Sequence, residues 1–477
     1  MRSVIRFLSM KMRCWIAISS LLLLLQACGT YHTKHAKFHR LFSANKLVEA
    51  DLLLAKGKRA EKSKNKLLYY FDRGVVAHLL GRYKESNHFF EQAYLTHANF
   101  LTNPVNEALV FLINPTVTDY RGEDHEVLLL HYYKALNFLQ LGQYDAALVE
   151  CRRLNIKLNQ LSDKHSNKYR RDAFIHTLMG LVYQANHDYN NAFIAYRNAV
   201  EIYQEDYQSL FGLAIPAQLK KDLLYTAYRT GLHEQVAQYK QLFELSYDPA
   251  QEADLGDAVF LWNNGLGPIK DEWSINFVLV KGEAGVVLFK NEELGLTFPF
   301  PLPDDGKQKG SLSDLQFIRV AFPKYQKRPL LYDQATITTA QGSQHHLELL
   351  EDINAIAFQV LQQRMVSELS KSLLRLALKK VAEHQVRKQN AILGTVLGGV
   401  NFFTEKADTR NWQTLPHSIY YTRVRLPEGT HQIHFDASSK QYPQTRQRTA
   451  FCLKLWRGQT AFQVVNSPYA APSLGYR

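Results

Sequence analysis

A nucleophilic thiol follows the first apolar stretch of the chain, in the segment SSLLLLLQACGT at residues 19–30. The apolar run from Cys14 to Leu25 is too short for a membrane-spanning helix, which needs roughly 20 residues. A basic start, a short apolar run and a small residue are typical of a secretory signal peptide, here residues 1–27. Cleavage between Ala27 and Cys28 would leave Cys28 at the new N-terminus. An ordinary signal peptide or an uncleaved anchor is the alternative. The basic residues of this start are Arg2, Arg6, Lys11 and Arg13.

The four residues Leu25-Gln26-Ala27-Cys28 resemble the lipobox of bacterial lipoproteins. The resemblance implies that the Cys28 thiol receives a diacylglycerol before the signal is cleaved. One acyl chain holds a protein only marginally, whereas two or three give stable anchoring. Gly29 follows the cysteine, and by resemblance to proteobacterial sorting the absence of aspartate there favours the outer membrane. We therefore expect an outer-membrane lipoprotein, lipidated at Cys28 and facing the periplasm.

Two pairs of histidines lie close together in the sequence and are candidate metal ligands. His35 and His39 stand at i and i+4, which places both on one face of a helix. No third ligand is near them in sequence, so solvated residues of a tether are the favoured interpretation. His345 and His346 are adjacent, and on a strand they would point to opposite faces. We predict no metal site and no cofactor.

Fragments of catalytic motifs occur without the residues that complete them. In HEVLLLH, His125 to His131, the second histidine comes at i+6, whereas a zinc-protease motif requires i+4. The segment Ser43 to Lys46 has S-x-x-K spacing but lacks the companion motifs of the enzymes that use it. We predict no catalytic residues and no enzyme. A hydrolase whose residues converge from distant positions is the remaining alternative.

Composition supports a folded envelope protein. The chain has 477 residues, of which 46% are hydrophobic and 12% aromatic, so it can form substantial cores. Four of its 13 net positive charges lie in the signal, and the remaining nine are spread along the chain without a dense block. A secreted protein rarely meets nucleic acid, so none is expected as a partner. Cys151 and Cys452 are too few for a disulfide framework, and two buried free thiols are favoured over one bridge.

Residues 66–247 repeat one pattern of small and aromatic residues and are predicted to be all-α. Small residues let antiparallel helices approach closely, a turn glycine takes positive φ, and the tyrosine after the turn is expected to pack back on the pair. The pattern resembles tetratricopeptide (TPR) repeats, with His187 in place of the third turn glycine and a looser fourth match at 223–243. A generic helical bundle is the alternative. The defining residues are Gly74, Gly81, Tyr83, Ala93, Ala135, Gly142, Tyr144, Ala147, Gly180, Tyr189, Ala192 and Ala199.

Residues 248–477 change to short Val-, Ile- and Phe-rich runs separated by turns, which predicts a β-rich α+β domain. A long helical insertion is expected over about 353–404. Within it, residues 391–403 (AILGTVLGGVNFF) are apolar but too short to cross a bilayer, so they either touch a membrane surface or pack on their own domain. A polar, glycine-rich loop is a possible binding loop or a plain turn; it contains Asn263, Asn264, Gly265 and Gly267.

The chain is therefore predicted to be multidomain. A lipidated tether and an entry helix at 28–65 come first, the TPR-like repeats follow, and the β-rich domain comes last. Segments such as ALVECRRLNIKL and WNNGLGPIKDE resemble those of poorly characterised Gram-negative lipoproteins. That resemblance implies an envelope role and no catalytic residues. We expect a lipid-anchored periplasmic scaffold that binds envelope proteins in the repeat groove. The alternative is a lipoprotein that binds peptidoglycan or polysaccharide through its C-terminal domain and supports a cell-wall or export enzyme.

Overall fold

The protein is a mixed α/β, multidomain chain, analysed as a computed structural model. Three predictions lie outside the residues that the structure describes: the signal peptide, the cleavage and lipidation residues Ala27 and Cys28, and the apolar segment 391–403. Within the described part, no helix is long and apolar enough to cross a bilayer. The described residues are 31–57, 60–102, 116, 118–165, 171–252, 254–281, 286–301, 317–389 and 406–471.

The first described helices pack into the main core. They are α1 (Tyr31–Lys34), α2 (Ala36–Ser43) and α3 (Leu47–Lys56). Phe38 and Phe42 of α2 are buried, one helical turn apart, with ring centroids 5.9 Å from each other. The expectation of a solvated His39 is wrong, because this side chain is buried beside Phe38. An apolar stripe on α2 fixes it to the rest of the protein.

Four pairs of antiparallel helices follow. The turns between the paired helices share one backbone conformation, since Gly81, Gly142, His187 and Gly231 have φ between 60° and 74°. The prediction of positive φ at the turn glycines is confirmed, and His187 adopts the same conformation without being glycine. The pairs are α4 (Lys66–Leu79) with α5 (Tyr83–Thr102), α6 (Asp124–Gln140) with α7 (Tyr144–His165), α8 (Ala173–Ala185) with α9 (Tyr189–Ile202), and, after α10 (Gln208–Phe211), α11 (Ala217–Arg229) with α12 (His233–Leu242).

Small residues allow the paired helices to touch. A Cβ atom added at Gly74 on α4 would lie 2.7 Å from ring atoms of Phe90 on α5. A Cβ atom added at Gly180 on α8 would likewise lie too close to ring atoms of Tyr196 on α9. The other small residues of the pattern are fully buried: Ala93, Ala135, Ala147, Ala192 and Ala199. The sequence pattern therefore marks the lines of closest approach between helices.

Replacement of Gly74 by alanine is expected to destabilise the protein by about 1–2 kcal/mol. Overpacking against Phe90 costs typically ~1–3 kcal/mol, and the better helix propensity of alanine returns up to ~1 kcal/mol. Urea denaturation of both proteins measures the difference. Gly57→Ala is the matched control, because Gly57 is an exposed helix end with φ of −80°. Equal losses in the two variants would contradict the role of close approach.

The tyrosines after the turns behave less uniformly than predicted. Tyr83 contacts His78 of its own pair, with ring centroids 5.7 Å apart. Tyr144 instead contacts Phe462 of the C-terminal half, and Tyr189 contacts Tyr225 of the next pair. The expectation that each tyrosine packs back on its own pair is thus wrong for Tyr144, whereas Tyr189 also contacts His187 in the turn of its own pair, with ring centroids 6.2 Å apart. Their hydroxyl-bearing rings reach across to neighbouring elements because those elements cover the turns.

The C-terminal half contains three four-stranded sheets. Sheet 1 has the order β12-β1-β9-β8, sheet 2 the order β11-β10-β6-β7, and sheet 3 the order β4-β3-β2-β5. Strands adjacent in sequence pair antiparallel as β2–β3 and β6–β7, which agrees with the turns expected between short strands. The strands are β1 (Gly256–Asn264), β2 (Ile269–Lys281), β3 (Val286–Asn291), β4 (Leu296–Pro301), β5 (Phe317–Gln326), β6 (Gln334–Thr339), β7 (Gln344–His346), β8 (Glu348–Asp352), β9 (Ser418–Leu426), β10 (Gly429–Ser438), β11 (Arg446–Leu455) and β12 (Thr460–Ser467).

Sheet 1 lies between the helical pairs and sheet 2. Successive side chains of a strand point to opposite faces, so β1 contributes to two cores. Phe260 and Trp262 pack with sheet 2, while Val259 and Leu261 belong to the core shared with the helices. All nine residues of β1 are buried. Burial on both faces explains why this strand is a continuous apolar run with polar residues only at its ends.

Sheet 3 packs against the long helix α13 (Ile353–Gln389), which confirms the helix predicted from about residue 353; the rest of the predicted insertion, from residue 390, lies outside the described residues. Leu369, Leu373 and Leu376 of α13 meet Phe277 and Phe289 of the sheet. The i, i+4 and i+7 spacing of these leucines forms one apolar stripe. Sheet 3 and this stripe form a core separate from the other two, whereas Ile353, Ile356 and Val360 at the start of α13 belong to the main core.

The two cysteines in the described part of the chain, Cys151 and Cys452, differ in their surroundings. Both are free; Cys151 is buried and Cys452 is exposed, so the expectation of two buried thiols is wrong for Cys452. Burial raises the pKa of the Cys151 thiol to about 12. We expect a maleimide to modify Cys452 in the folded protein and Cys151 only after denaturation, as measured by peptide mass spectrometry. Modification of Cys151 under native conditions would contradict its burial.

Candidate functional site

The strongest concentration of buried polar groups lies where the helical pairs meet sheet 1 and the segment before it. The first helix of each pair sends one polar side chain across this boundary. On α4, Asp72 accepts a hydrogen bond from the Thr414 hydroxyl (2.9 Å); on α6, Tyr132 donates to Asn263 (2.7 Å). On α8, Gln184 donates to Asp257 (3.1 Å), and on α11, Asp222 pairs with Arg423 (2.8 Å). The inner side of the helical array is thus occupied by the chain's own C-terminal half.

Arg423 forms the centre of an ion cluster at this boundary. Its side chain is completely buried and lies 2.8 Å from Asp222 and 2.6 Å from Asp257. The Asp222 contact is an ion pair without hydrogen-bond alignment at Nε, since this nitrogen has no well-directed acceptor. The guanidinium also donates to Gln184 and to the Tyr196 hydroxyl, each at 3.1 Å. A buried cation is tolerable here because two carboxylates and two polar groups surround it.

Arg425 extends the cluster along the same face of β9. Residues i and i+2 of a strand share a face, so Arg423 and Arg425 both point to the helices. Arg425 lies 2.9 Å from Asp257 and its guanidinium stacks 3.6 Å from the ring centroid of Tyr225. Burial alone would raise the pKa of Asp257, but Arg423 and Arg425 outweigh it and hold this pKa below its ordinary value. Asp257 is therefore charged at neutral pH.

A second cluster surrounds Glu126 on α6. Its carboxylate accepts hydrogen bonds from the Trp412 amide (2.5 Å), the Tyr120 hydroxyl (2.6 Å) and the Glu123 amide (3.0 Å). Burial raises the pKa of Glu126 to about 7, with a further contribution from the negative charge of Glu123. Burial also raises the pKa of Asp72 to about 7. Burial is the largest cause of both shifts, and the hydrogen bonds that the two carboxylates accept, from Thr414 in one case and from Trp412 and Tyr120 in the other, oppose it.

A third cluster joins the helices to sheet 3 and α13. Glu123, at the start of α6, forms ion pairs with Lys270 of β2 and Arg364 of α13. Burial opposes its ionisation, but Arg364 and Lys270 more than compensate, so the pKa of Glu123 lies well below its ordinary value. One carboxylate thereby connects three elements that are distant in sequence.

A small cavity lies at the same boundary and is lined by His125, Asp172 and Glu351, among others. The Tyr207 hydroxyl lies 3.2 Å from Asp172 and 3.0 Å from Glu351. Burial and the charge of Asp172 raise the pKa of Glu351 well above its ordinary value. Burial lowers the pKa of His125 to about 4. The cavity volume of ≈ 20 Å³ admits about one water molecule, so it is not a substrate site.

The predicted binding loop lies inside the protein. Asn263 and Asn264 end β1, and both side chains are buried. Asn264 donates to the carbonyl of Tyr332, while the amides of Gly265 and Gly267 donate to the carbonyls of Ser467 and Leu415. These contacts join β1 to neighbouring elements, which fits the interpretation as a turn. A binding role for this loop stays a prediction.

Several residues of the incomplete metal and catalytic motifs lie within helices and strands and contact neighbouring residues there. His131 of α6 is buried and lies 2.7 Å from Glu150 of α7. Ser43 is the last residue of α2 and bonds only to the carbonyl of Arg40 among the contacts described. His345 and His346 lie on the short strand β7. Across the described residues, no group of three or more histidine, cysteine or acidic side chains is placed to hold a metal.

The sequence analysis missed Arg423 and Arg425, although the segment YYTRVRL carries a signal for them. Two arginines at i and i+2 within an apolar, alternating strand must lie on one face. Because the strand is otherwise apolar, that face is expected to be buried, and buried arginines require carboxylates. The partners Asp222 and Asp257 lie far away in sequence, so only the fold identifies them.

Comparisons with known proteins leave the family of this chain open. No family model matches it, and no curated protein matches it. Among solved structures, a crystal structure of BtubC (BKLC) from P. vanneervenii aligns with 46% of this chain and 78% of that chain. The sequences are 16% identical over the alignment and the TM-score is 0.27. A similarity at that level carries no argument, and the function is argued from the residues alone.

Proposed function

We propose that the protein is a lipid-anchored scaffold of the Gram-negative envelope, held in the outer membrane through Cys28 and exposed to the periplasm. Its helical pairs are of the TPR type, as the shared turn conformation and the glycine–aromatic contacts support. Its partners are envelope proteins. The lipobox-like sequence around Cys28 supports the anchor, and the buried ion clusters support a rigid body that presents a fixed surface.

The observation that carries the proposal is the distribution of exposed aliphatic side chains on the helical pairs. The first helices cross to sheet 1, so their inner side is unavailable to a partner. The second helices α5, α7, α9 and α12 carry the exposed large aliphatic residues of the described array: Leu95, Val149, Ile156, Ile194 and Leu242. A contiguous patch of exposed apolar groups marks a docking surface, and we propose that these side chains form one along the second helices. We therefore move the partner site from the inner groove to the outer side.

In-cell crosslinking of the tagged full chain, followed by mass spectrometry, tests this proposal. The double variant Val149→Glu, Ile156→Glu places charges on the exposed side of α7. The matched control is Val366→Glu, Leu374→Glu on α13, where both side chains are also exposed and neither lines the cleft on sheet 3. The three proteins are compared at equal cellular abundance. Wild type and control are expected to capture the same set of envelope proteins, and the α7 variant is expected not to capture this set. Capture that is unchanged by the α7 variant would refute the docking surface.

A cleft on sheet 3 favours one second candidate, a glycan-associated lipoprotein. It has a volume of ≈ 260 Å³ and is lined by Trp273, Asn276, Glu292 and Glu293, among others. The indole N–H of Trp273 has no hydrogen-bond partner among the described residues. An aromatic ring beside amide and carboxylate groups suits a sugar, which offers both C–H faces and hydroxyl groups. Sedimentation with purified peptidoglycan sacculi tests this candidate, and enrichment that Trp273→Ala abolishes would favour it over the scaffold.

A further inference from the structure

The first described residue limits where a lipid on Cys28 can lie. The Tyr31 amide donates to the Thr409 hydroxyl at 3.1 Å, and the neighbouring His32 ring lies 2.7 Å from the Gln413 side chain. Both contacts hold the start of α1 against the segment before β9. Cys28 precedes Tyr31 by three residues, a chain length of at most ~10 Å. If Cys28 is lipidated, as the proposed function requires, the bilayer surface must approach the region around Thr409.

A basic segment is tied to the same region. Arg410, next to Thr409, donates to the Asn65 side chain at 3.3 Å and to the Thr118 carbonyl at 2.9 Å. The Tyr120 amide donates to the Lys64 carbonyl at 2.8 Å. These bonds place Asn65 and Thr118 beside Arg410, and Lys64 beside Tyr120, so the chain segments that carry Lys62, Lys66 and Arg121 run close to Thr409. The anchor region and the basic segment therefore share one side of the protein.

The charge on this side is predominantly positive. Lys62, Lys64 and Arg121 are exposed, and Lys66 is partly exposed. Over residues 55–66 the sequence AKGKRAEKSKNK has six basic residues and one acidic residue, Glu61, which accepts a hydrogen bond from Tyr70. Asp408 is likewise occupied by an ion pair with Arg410. Within residues 60–66, 118–121 and 406–413, the exposed acidic residues are Glu61 and Asp119.

We propose that this face, formed by Lys62, Lys64, Lys66 and Arg121, rests on the phosphates of an anionic phospholipid bilayer beside the lipid anchor. Each basic residue close to an anionic membrane surface strengthens attachment by roughly fivefold. A single lipid tether alone would let the body swing, whereas a second, electrostatic contact fixes its orientation. The proposal rests on the proposed anchor at Cys28 and adds to it the surface that meets the headgroups.

Lysine acetylation of the full mature protein in vesicles tests the contact. The protein is purified from membranes and reconstituted into phosphatidylcholine vesicles with or without phosphatidylglycerol. The reaction of Lys62 and Lys64 with an acetylating reagent is expected to slow several-fold in the anionic vesicles. High salt is expected to restore it, because salt screens charges near a surface. Lys240 on α12, in the last helical pair, is the internal reference and is expected to react equally in both vesicles.

Variants and the state of Cys28 separate the possible outcomes. Lys62→Glu, Lys64→Glu is expected to abolish the lipid-dependent protection of Lys66, and the matched Lys240→Glu to leave it intact. Equal acetylation in both vesicle types, on protein whose Cys28 peptide carries acyl chains, overturns the contact while the anchor stands. A Cys28 peptide without acyl chains overturns the anchor and the contact together.

Discussion

Replacement of Arg423 by alanine is expected to lower the free energy of unfolding by about 3–5 kcal/mol, the cost of breaking a buried ion pair from one side. The substitution leaves Asp222 and Asp257 buried without their closest cation. It also removes hydrogen bonds to Gln184 and Tyr196. Arg425 remains next to Asp257, so Asp257 still has one cation beside it. The part of the stability loss that comes from Asp257 is therefore at the lower end of this range. A typical domain is stable by only ~5–15 kcal/mol, so the effect is large.

Urea denaturation monitored by far-ultraviolet circular dichroism measures the loss. Arg448→Ala is the matched control, since the Arg448–Asp436 pair has 69% of the arginine side chain exposed. An exposed pair of this kind contributes ~0–1 kcal/mol. Similar losses for Arg423→Ala and Arg448→Ala would show that the buried cluster does not join the two halves of the protein.

Combining Arg423→Ala with Asp222→Asn tests whether the loss comes from an uncompensated charge. Asparagine is nearly isosteric with aspartate but neutral, so the double variant buries one charge fewer. Residues in one ion-pair network couple by ~0.5–3 kcal/mol, and we expect recovery of that order. Strict additivity of the two single losses would instead assign the effect to lost packing of the arginine side chain.

Local patterns in the sequence predicted much of the helical half and the strand pairs. Turn glycines such as Gly81 and Gly142 indicate a backbone with positive φ, because other residues rarely adopt it. The long helix α13 follows from the spacing of Leu369, Leu373 and Leu376. Each of these signals lies within a few residues, so a single sequence contains it.

The contact between the two halves could not be predicted in this way. Asp72 and Thr414 are 342 positions apart, and Glu126 and Trp412 are 286 positions apart. Nothing near Asp72 in sequence indicates which segment covers it. The groove expected to hold a partner is therefore filled by the chain itself, and the binding surface had to be sought on the second helices. The sequence pattern does not show which polar groups pair with partners that are distant along the chain.

Replacement of Asp72 by asparagine is expected to make the protein more stable above neutral pH and to flatten its pH dependence. Burial raises the pKa of Asp72 from 3.8 to about 7, against the opposing hydrogen bond from Thr414. A carboxyl group whose pKa is raised in the folded protein contributes stability below its unfolded pKa, and that stability is lost as pH rises through about 7. Between pH 5 and pH 8 the loss amounts to about 2–3 kcal/mol at 1.36 kcal/mol per pKa unit. Asparagine, which keeps an acceptor oxygen for Thr414 and carries no charge, avoids it.

Urea denaturation at pH 5 and pH 8 measures this effect as the difference between variant and wild type. Taking that difference cancels groups that titrate independently of Asp72, while the charge interaction between Asp72 and Glu126 stays part of the measured effect. Asp119→Asn is the matched control, since Asp119 is exposed to water and close to the same cluster in sequence. We expect the control to follow wild type at both pH values. A variant Asp72→Asn that loses stability equally at pH 5 and pH 8 would mean that Asp72 is charged in the folded protein throughout this range. The Trp412–Thr414–Asp72 chain of hydrogen bonds would then stabilise an anion rather than a neutral acid.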